Sequence, residues 1–212
     1  MLNNIKGALF DLDGVIVDTA KYHYLAWKRL AEELGFEFTE EHNERLKGVS
    51  RMRSLEILLE VGGISSSEEE KLAMAEKKNN WYVEYIKKMD ETEILKGARE
   101  YLQKLKSQGV KIALGSASKN APMILDNLGI TGLFDAIIDG NKVSKAKPDP
   151  EVFLLGAKEL GLAAADCIVY EDAEAGIEAA RRAGMGTVGI GKRDILKEAD
   201  MVVNGLYELL AE

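Results

Sequence analysis

Asp11 and Asp13 stand two residues apart, at the end of the mostly apolar run Ile5 to Phe10 and just before Gly14. Neighbouring carboxylates repel unless a cation or a shared proton relieves them, so the pair suits a magnesium site, acid/base chemistry, or both. One acid can stay ionised as a nucleophile while the other carries a proton. A bare Asp-x-Asp is also an ordinary solvated turn. Here the apolar lead-in, the glycine, and Asp18-Thr19 at helix-cap spacing point to a buried strand that delivers acids to a loop.

Other stretches offer polar groups in similar settings. The run Val110 to Leu114 opens into Gly115-Ser116-Ala117-Ser118-Lys119-Asn120, whose backbone N–H groups and hydroxyls suit phosphate oxygens or a plain helix cap. Lys147 precedes Pro148, which holds it extended, and Pro150 fits the first turn of a helix. A lysine so placed is either solvated or aimed at an anion. Ile168-Val169-Tyr170 ends in Glu171 and Asp172, a second acidic pair or two acids that complement a helix dipole. Lys47 and Arg51 flank Gly48 and Ser50, which makes either a compact anion pocket with a bidentate arginine or a turn between helices.

The elements that position these groups follow from hydrophobic spacing. Helical patterns cover Lys21 to Leu34, Glu40 to Lys47, Arg51 to Glu60 and Ser67 to Met89, broken by Gly35, Gly48 and Gly62-Gly63. From Gly97 onward short apolar strands alternate with helices: strands at 110–114, 136–138, 168–170, 187–190 and 201–203, and helices at 98–107, 121–128, 150–160 and 175–182, with a further helix at the end. Such alternation implies an α/β fold with a Rossmann-like parallel sheet flanked by helices. The first strand must join that sheet to supply the site. The expected organisation is a discontinuous core, residues 1–15 and 90–212, with an inserted all-helical cap at 16–89.

The chain has 212 residues, 46% hydrophobic and 30% charged, enough for a core with an inserted subdomain. Its net charge of -8 argues against a general nucleic-acid or membrane-surface role, while leaving an anionic small substrate open. No window approaches the apolar length of a membrane span. The single cysteine, Cys167, lies in a strand-like run and reads as a small buried hydrophobe. Without a second cysteine there is no intrachain disulfide, which fits a reducing, cytoplasmic setting. A monomer is expected.

The run Phe10-Asp11-Leu12-Asp13-Gly14-Val15-Ile16-Val17-Asp18-Thr19 resembles the signature loop of the haloacid dehalogenase superfamily. The resemblance implies Asp11 as a nucleophile that forms an aspartyl phosphate and Asp13 as general acid/base. It also implies Ser116 and Lys147 as phosphoryl-binding groups, and Mg2+ held by Asp11, Asp13 (through its backbone oxygen), Asp172 and Glu171, the last as a near partner. These stations occur in order, each at a strand end or in the loop beyond it.

Asp11 to Ile16, Tyr22-His23, Ala26-Trp27, Leu46 to Arg51, Lys78-Asn79 and Ser116 to Asn120 together resemble the β-phosphoglucomutase family, with Ala173 departing from a residue that is often Ser. That resemblance implies interconversion of β-glucose 1-phosphate and glucose 6-phosphate, with glucose 1,6-bisphosphate as activating donor. It implies substrate contacts from Thr19, His23, Trp27, Lys47, Gly48, Val49, Ser50, Arg51, Lys78, Ala117, Ser118, Lys119 and Asn120, and a cap that excludes water. Two rivals stand beside it: a sugar-phosphate phosphatase, which shares every core residue, and a non-catalytic sugar-phosphate-binding protein.

Overall fold

A computed structural model describes residues 5–46 and 50–211. The chain forms two compact units, one running to Asp18 and resuming at Met89, the other spanning Thr19–Lys88. In the first, six strands make one sheet: β1 (Gly7–Phe10), β2 (Lys111–Gly115), β3 (Ala136–Ile138), β4 (Cys167–Glu171), β5 (Gly186–Ile190) and β6 (Met201–Val203). The spatial order is β3-β2-β1-β4-β5-β6, every pairing parallel. Side chains buried on both faces explain why β1 and β4 read as unbroken apolar runs.

The order reverses at β1, which lies between β2 and β4. Phe10 pairs with Leu114 on one side and Tyr170 on the other, so Asp11, Ser116 and Glu171-Asp172 leave the sheet at one edge. Open parallel sheets bind ligands at such a switch point. On one face, Leu9, Ala113, Val169, Phe153 and Ala180 belong to a single buried cluster. On the other, the Phe10 ring stacks on Tyr170 at 4.4 Å, and the Tyr101 and Tyr170 hydroxyls lie 2.8 Å apart. The base of β1 is therefore rigidly packed on both sides.

Covering this sheet are α5 (Ala98–Ser107), α6 (Ala121–Asn127), α7 (Glu151–Leu160) and α8 (Glu174–Arg182), and the chain's last element is a 3-10 turn, Leu206–Leu210, in place of the expected terminal helix. The second unit is helical throughout its described residues: α1 (Ala20–Glu33), α2 (Glu40–Glu44), α3 (Arg51–Gly62) and α4 (Glu68–Ile86). Ser67 and Glu70 close a capping box on α4, as Ser-x-x-Glu before a helical run predicts. Thr39 and His42 do the same for α2, which ends at Glu44 because Arg45 and Leu46 turn away. Thr19 does not cap α1 with its side chain; it is buried, and the Tyr82 hydroxyl donates to it at 3.4 Å. No described helix is long and apolar enough to cross a membrane.

Candidate active site

Asp11 continues the β1–β4 pairing by one bond, its N–H donating to the Tyr170 carbonyl at 3.0 Å, and this holds its carboxylate against the end of β4. Lys147, from the loop before α7, donates to Asp11 Oδ1 at 2.6 Å and to Glu171 Oε2 at 2.7 Å. The Lys147 ammonium also lies 4.8 Å over the Phe153 ring. Burial opposes its charge, but Asp11 and then Glu171 more than offset this and raise its pKa. The superfamily resemblance implied a phosphoryl-binding role for Lys147. The bond to Glu171 and the aromatic floor depend on which strands are neighbours, which no local pattern reports.

Asp11, Glu171 and Asp172 each present a carboxylate oxygen within 4.8 Å of the others. Desolvation in this cleft, then Asp11 and Glu171, push Asp172 up to about 8. Glu171 is raised as well, by burial and then by Asp11, with Lys147 opposing. A protein that gathers acids this closely either protonates them or supplies a cation, and the all-oxygen set fits a hard divalent ion. Asp13, expected to reach the metal through its backbone oxygen, is not one of the three carboxylates in this trio. Cys167 is buried at the far end of β4 with its thiol pushed up to about 11, the inert hydrophobe its sequence context suggests.

Gly14 shapes the rim. Its φ of +76° is a left-handed conformation, and a Cβ there would sit 2.0 Å from Asp172 Oδ2. Only glycine lets the turn after Asp13 pass so close to that carboxylate. Ser116 is buried and its N–H donates to the Ile138 carbonyl at 2.9 Å. Its Oγ accepts from Ser118 N–H at 3.1 Å, and Ser118 Oγ accepts from Asn120 N–H at 3.2 Å, so the two hydroxyls brace the 116–120 loop from inside.

A second cluster lies within the helical unit. His23 and Trp27 share a face of α1, Lys78 and Tyr82 a face of α4. The His23 ring stacks on Tyr82 at 4.0 Å, and Lys78 Nζ lies 2.8 Å from His23 Nδ1, 4.5 Å from the Trp27 ring centre and 5.1 Å from that of Tyr82. Lys78 is 1% exposed, and burial, then Arg51, lower its pKa to about 7. Burial, then Lys78 and Arg51, hold His23 well below 6.5, so its ring is neutral beside the amine. Tyr82 went unnoticed in the sequence, although four residues after Lys78 is the spacing that shares a helix face. Ser50 caps α3, its Oγ accepting from Arg53 N–H at 3.3 Å, and Arg51 opens that helix on an exposed side. Lys47, Gly48 and Val49 lie outside the described residues.

A parallel sheet with a lysine-bridged carboxylate cluster at its switch point defines a phosphoryl-handling α/β enzyme, and the family comparison agrees. The model of haloacid dehalogenase-like hydrolases matches residues 8–190, and the chain belongs to that family. It is 45% identical over 210 residues to a β-phosphoglucomutase of Bacillus subtilis (strain 168), covering 98% of this chain and 93% of the relative. A phosphorylated carbohydrates phosphatase of Thermotoga maritima is 33% identical over 184 residues, covering 85% and 82%. Among solved structures, a β-phosphoglucomutase from Clostridium difficile superposes with a TM-score of 0.89 at 48% identity, covering 97% and 93%.

Two expectations follow from the geometry. Gly14→Ala should weaken divalent-metal binding by about 10–100-fold in calorimetric titration, because the new methyl displaces Asp172; unchanged affinity would show that Asp172 is not a ligand. For Lys78, the unfolded amine titrates near 10.5 while the folded one titrates near 7. Between those values the unfolded state holds a proton that the folded state lacks, so stability rises with pH across the window. Melting curves of wild type and Lys78→Met from about pH 7 to about pH 10 should therefore diverge, the wild type gaining with pH; parallel curves would refute the buried neutral amine.

Proposed function

We propose that the chain is a magnesium-dependent β-phosphoglucomutase, interconverting β-glucose 1-phosphate and glucose 6-phosphate through glucose 1,6-bisphosphate. The observation that carries this reading is the 45% identity to the Bacillus enzyme over 98% of the chain, which takes in the helical unit as well as the sheet. The carboxylate cluster supports the chemistry. Asp11, Glu171 and Asp172 would hold Mg2+, which supplies positive charge to the transferring phosphoryl oxygens.

In this reading an Asp11 carboxylate oxygen attacks phosphorus of the bisphosphate, a P–O bond forms to Asp11, and the bond to the sugar oxygen breaks. Asp13 gives that oxygen a proton. Lys147, already bonded to Asp11, balances charge as the phosphoryl arrives. In the second half, a hydroxyl of the sugar monophosphate loses its proton to Asp13 and takes the phosphoryl from Asp11. A substrate with phosphate at either end needs a second anion site. In the sheet-bearing unit we assign it to the loop bearing Ser118, Lys119 and Asn120; in the helical unit, Arg51, His23, Trp27 and Lys78 are the residues we propose for recognition of the sugar phosphate.

The similarity to a carbohydrate phosphatase favours a second reading, in which water takes the phosphoryl from Asp11. Supplying β-glucose 1-phosphate, Mg2+ and a trace of bisphosphate, then following glucose 6-phosphate and free phosphate together, separates the two. The mutase predicts that glucose 6-phosphate dominates; predominant free phosphate would move the function to hydrolysis. Asp11→Asn should lower either turnover by on the order of 10⁴-fold. Arg51→Ala should lower mutase kcat/KM by about 10–100-fold, as loss of a charged hydrogen bond does; near-wild-type turnover would remove Arg51 from the site.

A further inference from the structure

The loop after β3 carries Lys147 to the carboxylate cluster near its far end, while its first residues, Asp139 to Asn141, are built tightly against the loop after β2. Asp139 is buried, and its Oδ1 accepts from Asn141 N–H at 2.9 Å while its Oδ2 accepts from Asn141 Nδ2 at 3.1 Å. The Asn141 amide, oriented by these bonds, also donates to the Lys119 carbonyl at 3.3 Å. One residue earlier, Gly140 N–H donates to the Ser118 carbonyl at 3.1 Å. A Cβ at Gly140 would lie 2.2 Å from the Ala117 carbonyl oxygen, so any side chain there would drive the two loops apart. Three consecutive peptides, Ala117 to Lys119, are thus seated on Gly140 and Asn141.

The internal bonds of the 116–120 loop do not supply this constraint. Ser116 and Ser118 hydroxyls accept from N–H groups within the loop; the Ser118 carbonyl accepts from Gly140 N–H at 3.1 Å and more weakly from Ala121 N–H at 3.4 Å, and the Lys119 carbonyl is held from outside by Asn141. An anion site made of a short loop is only as selective as that loop is fixed, because rotation of one peptide moves its N–H and the next side chain together. We propose that Gly140 and Asn141, oriented by Asp139, are positioning residues for the substrate's second phosphate, setting how tightly the Ser118–Asn120 loop grips it. The inference rests on the second-phosphate role assigned above to that loop.

The test compares two phosphoryl donors on Gly140→Ala and Asn141→Ala proteins, with Lys119→Ala as reference. Glucose 1,6-bisphosphate engages both anion sites; acetyl phosphate engages only the Asp11 end. Both loop variants should raise KM for the bisphosphate by about tenfold with kcat changed by less than about threefold, while KM for acetyl phosphate stays near wild type. A rise for Lys119→Ala with none for the loop variants would overturn the positioning role. No rise for Lys119→Ala would remove the second-phosphate reading, and this inference with it. Equal losses toward both donors would make the β3 loop a general support and also overturn the proposal. Should the Gly140 variant fail to melt cooperatively, Asn141→Ala decides alone, since Asn141 is exposed and its removal leaves no collision.

Discussion

Repulsion among carboxylates at the ends of two adjacent strands is the constraint on which the sheet-bearing unit depends. Neighbouring strands lie about 4.8 Å apart. Asp11, one residue beyond β1, therefore meets Glu171 at the end of β4 and Asp172 just after it at close range. Two ionised groups at that spacing repel by about 3–4 kcal/mol at an effective dielectric near 20. Lys147 reaches into this field from a loop far along the chain and bonds both Asp11 and Glu171, with the three side chains almost closed to solvent. Withdrawing the lysine would leave uncompensated buried charge, so the cluster works as a unit and not as separate ion pairs. The charge it leaves unbalanced is what calls for a divalent cation.

The helical unit handles a buried cation in the opposite way. Lys78 shows no carboxylate partner in its bonds to His23, Trp27 and Tyr82; two ring faces and a neutral imidazole surround it. Aromatic faces and a ring nitrogen stabilise an ammonium less than two carboxylates do, and burial pulls its pKa down where Lys147's is pushed up. The contrast decides what each lysine can do. Lys147 keeps its charge, as the proposed transfer of a phosphoryl group to Asp11 needs, whereas Lys78 titrates near neutrality and can change its charge when an anion comes within reach.

The sequence displayed the two acidic strand ends, the Lys-Pro step and the alternation of strand and helix, because each is a local pattern with a direct physical cause. Apolar runs of four or five residues ending in Asp or Glu cannot close a helix face, and they are short enough to cross a buried sheet. What stayed hidden needed the strand order. That Lys147 bonds Glu171 as well as Asp11 follows from β1 and β4 being neighbours, which no residue spacing reveals. Capping was legible where Ser or Thr precedes a helix whose third residue can return a bond, as at Thr39 and Ser67. It misled at Thr19, because burial beneath Tyr82 outweighed the cap. In place of the terminal helix that the sequence pattern suggested, the chain forms a 3-10 turn, Leu206–Leu210.

A phosphatase and a mutase both resemble this chain over most of its length, so the sheet and its carboxylates do not separate the two activities. Both need a nucleophile, a cation and a proton donor at the end of β1. In the proposed mechanism they differ in what meets a phosphorylated Asp11: water for one, a sugar already carrying phosphate at its other end for the mutase. Water needs no recognition, but a sugar phosphate must be gripped at a distance from the reacting oxygen. Selectivity for transfer over hydrolysis is then a property of groups that never touch the phosphoryl being moved. In the proposed reading those groups include the loop after β2, whose Ser118 and Lys119 carbonyls are held by Gly140 and Asn141. The choice between the two reactions accordingly rests as much on how rigidly two neighbouring loops are joined as on the acids that carry out the chemistry.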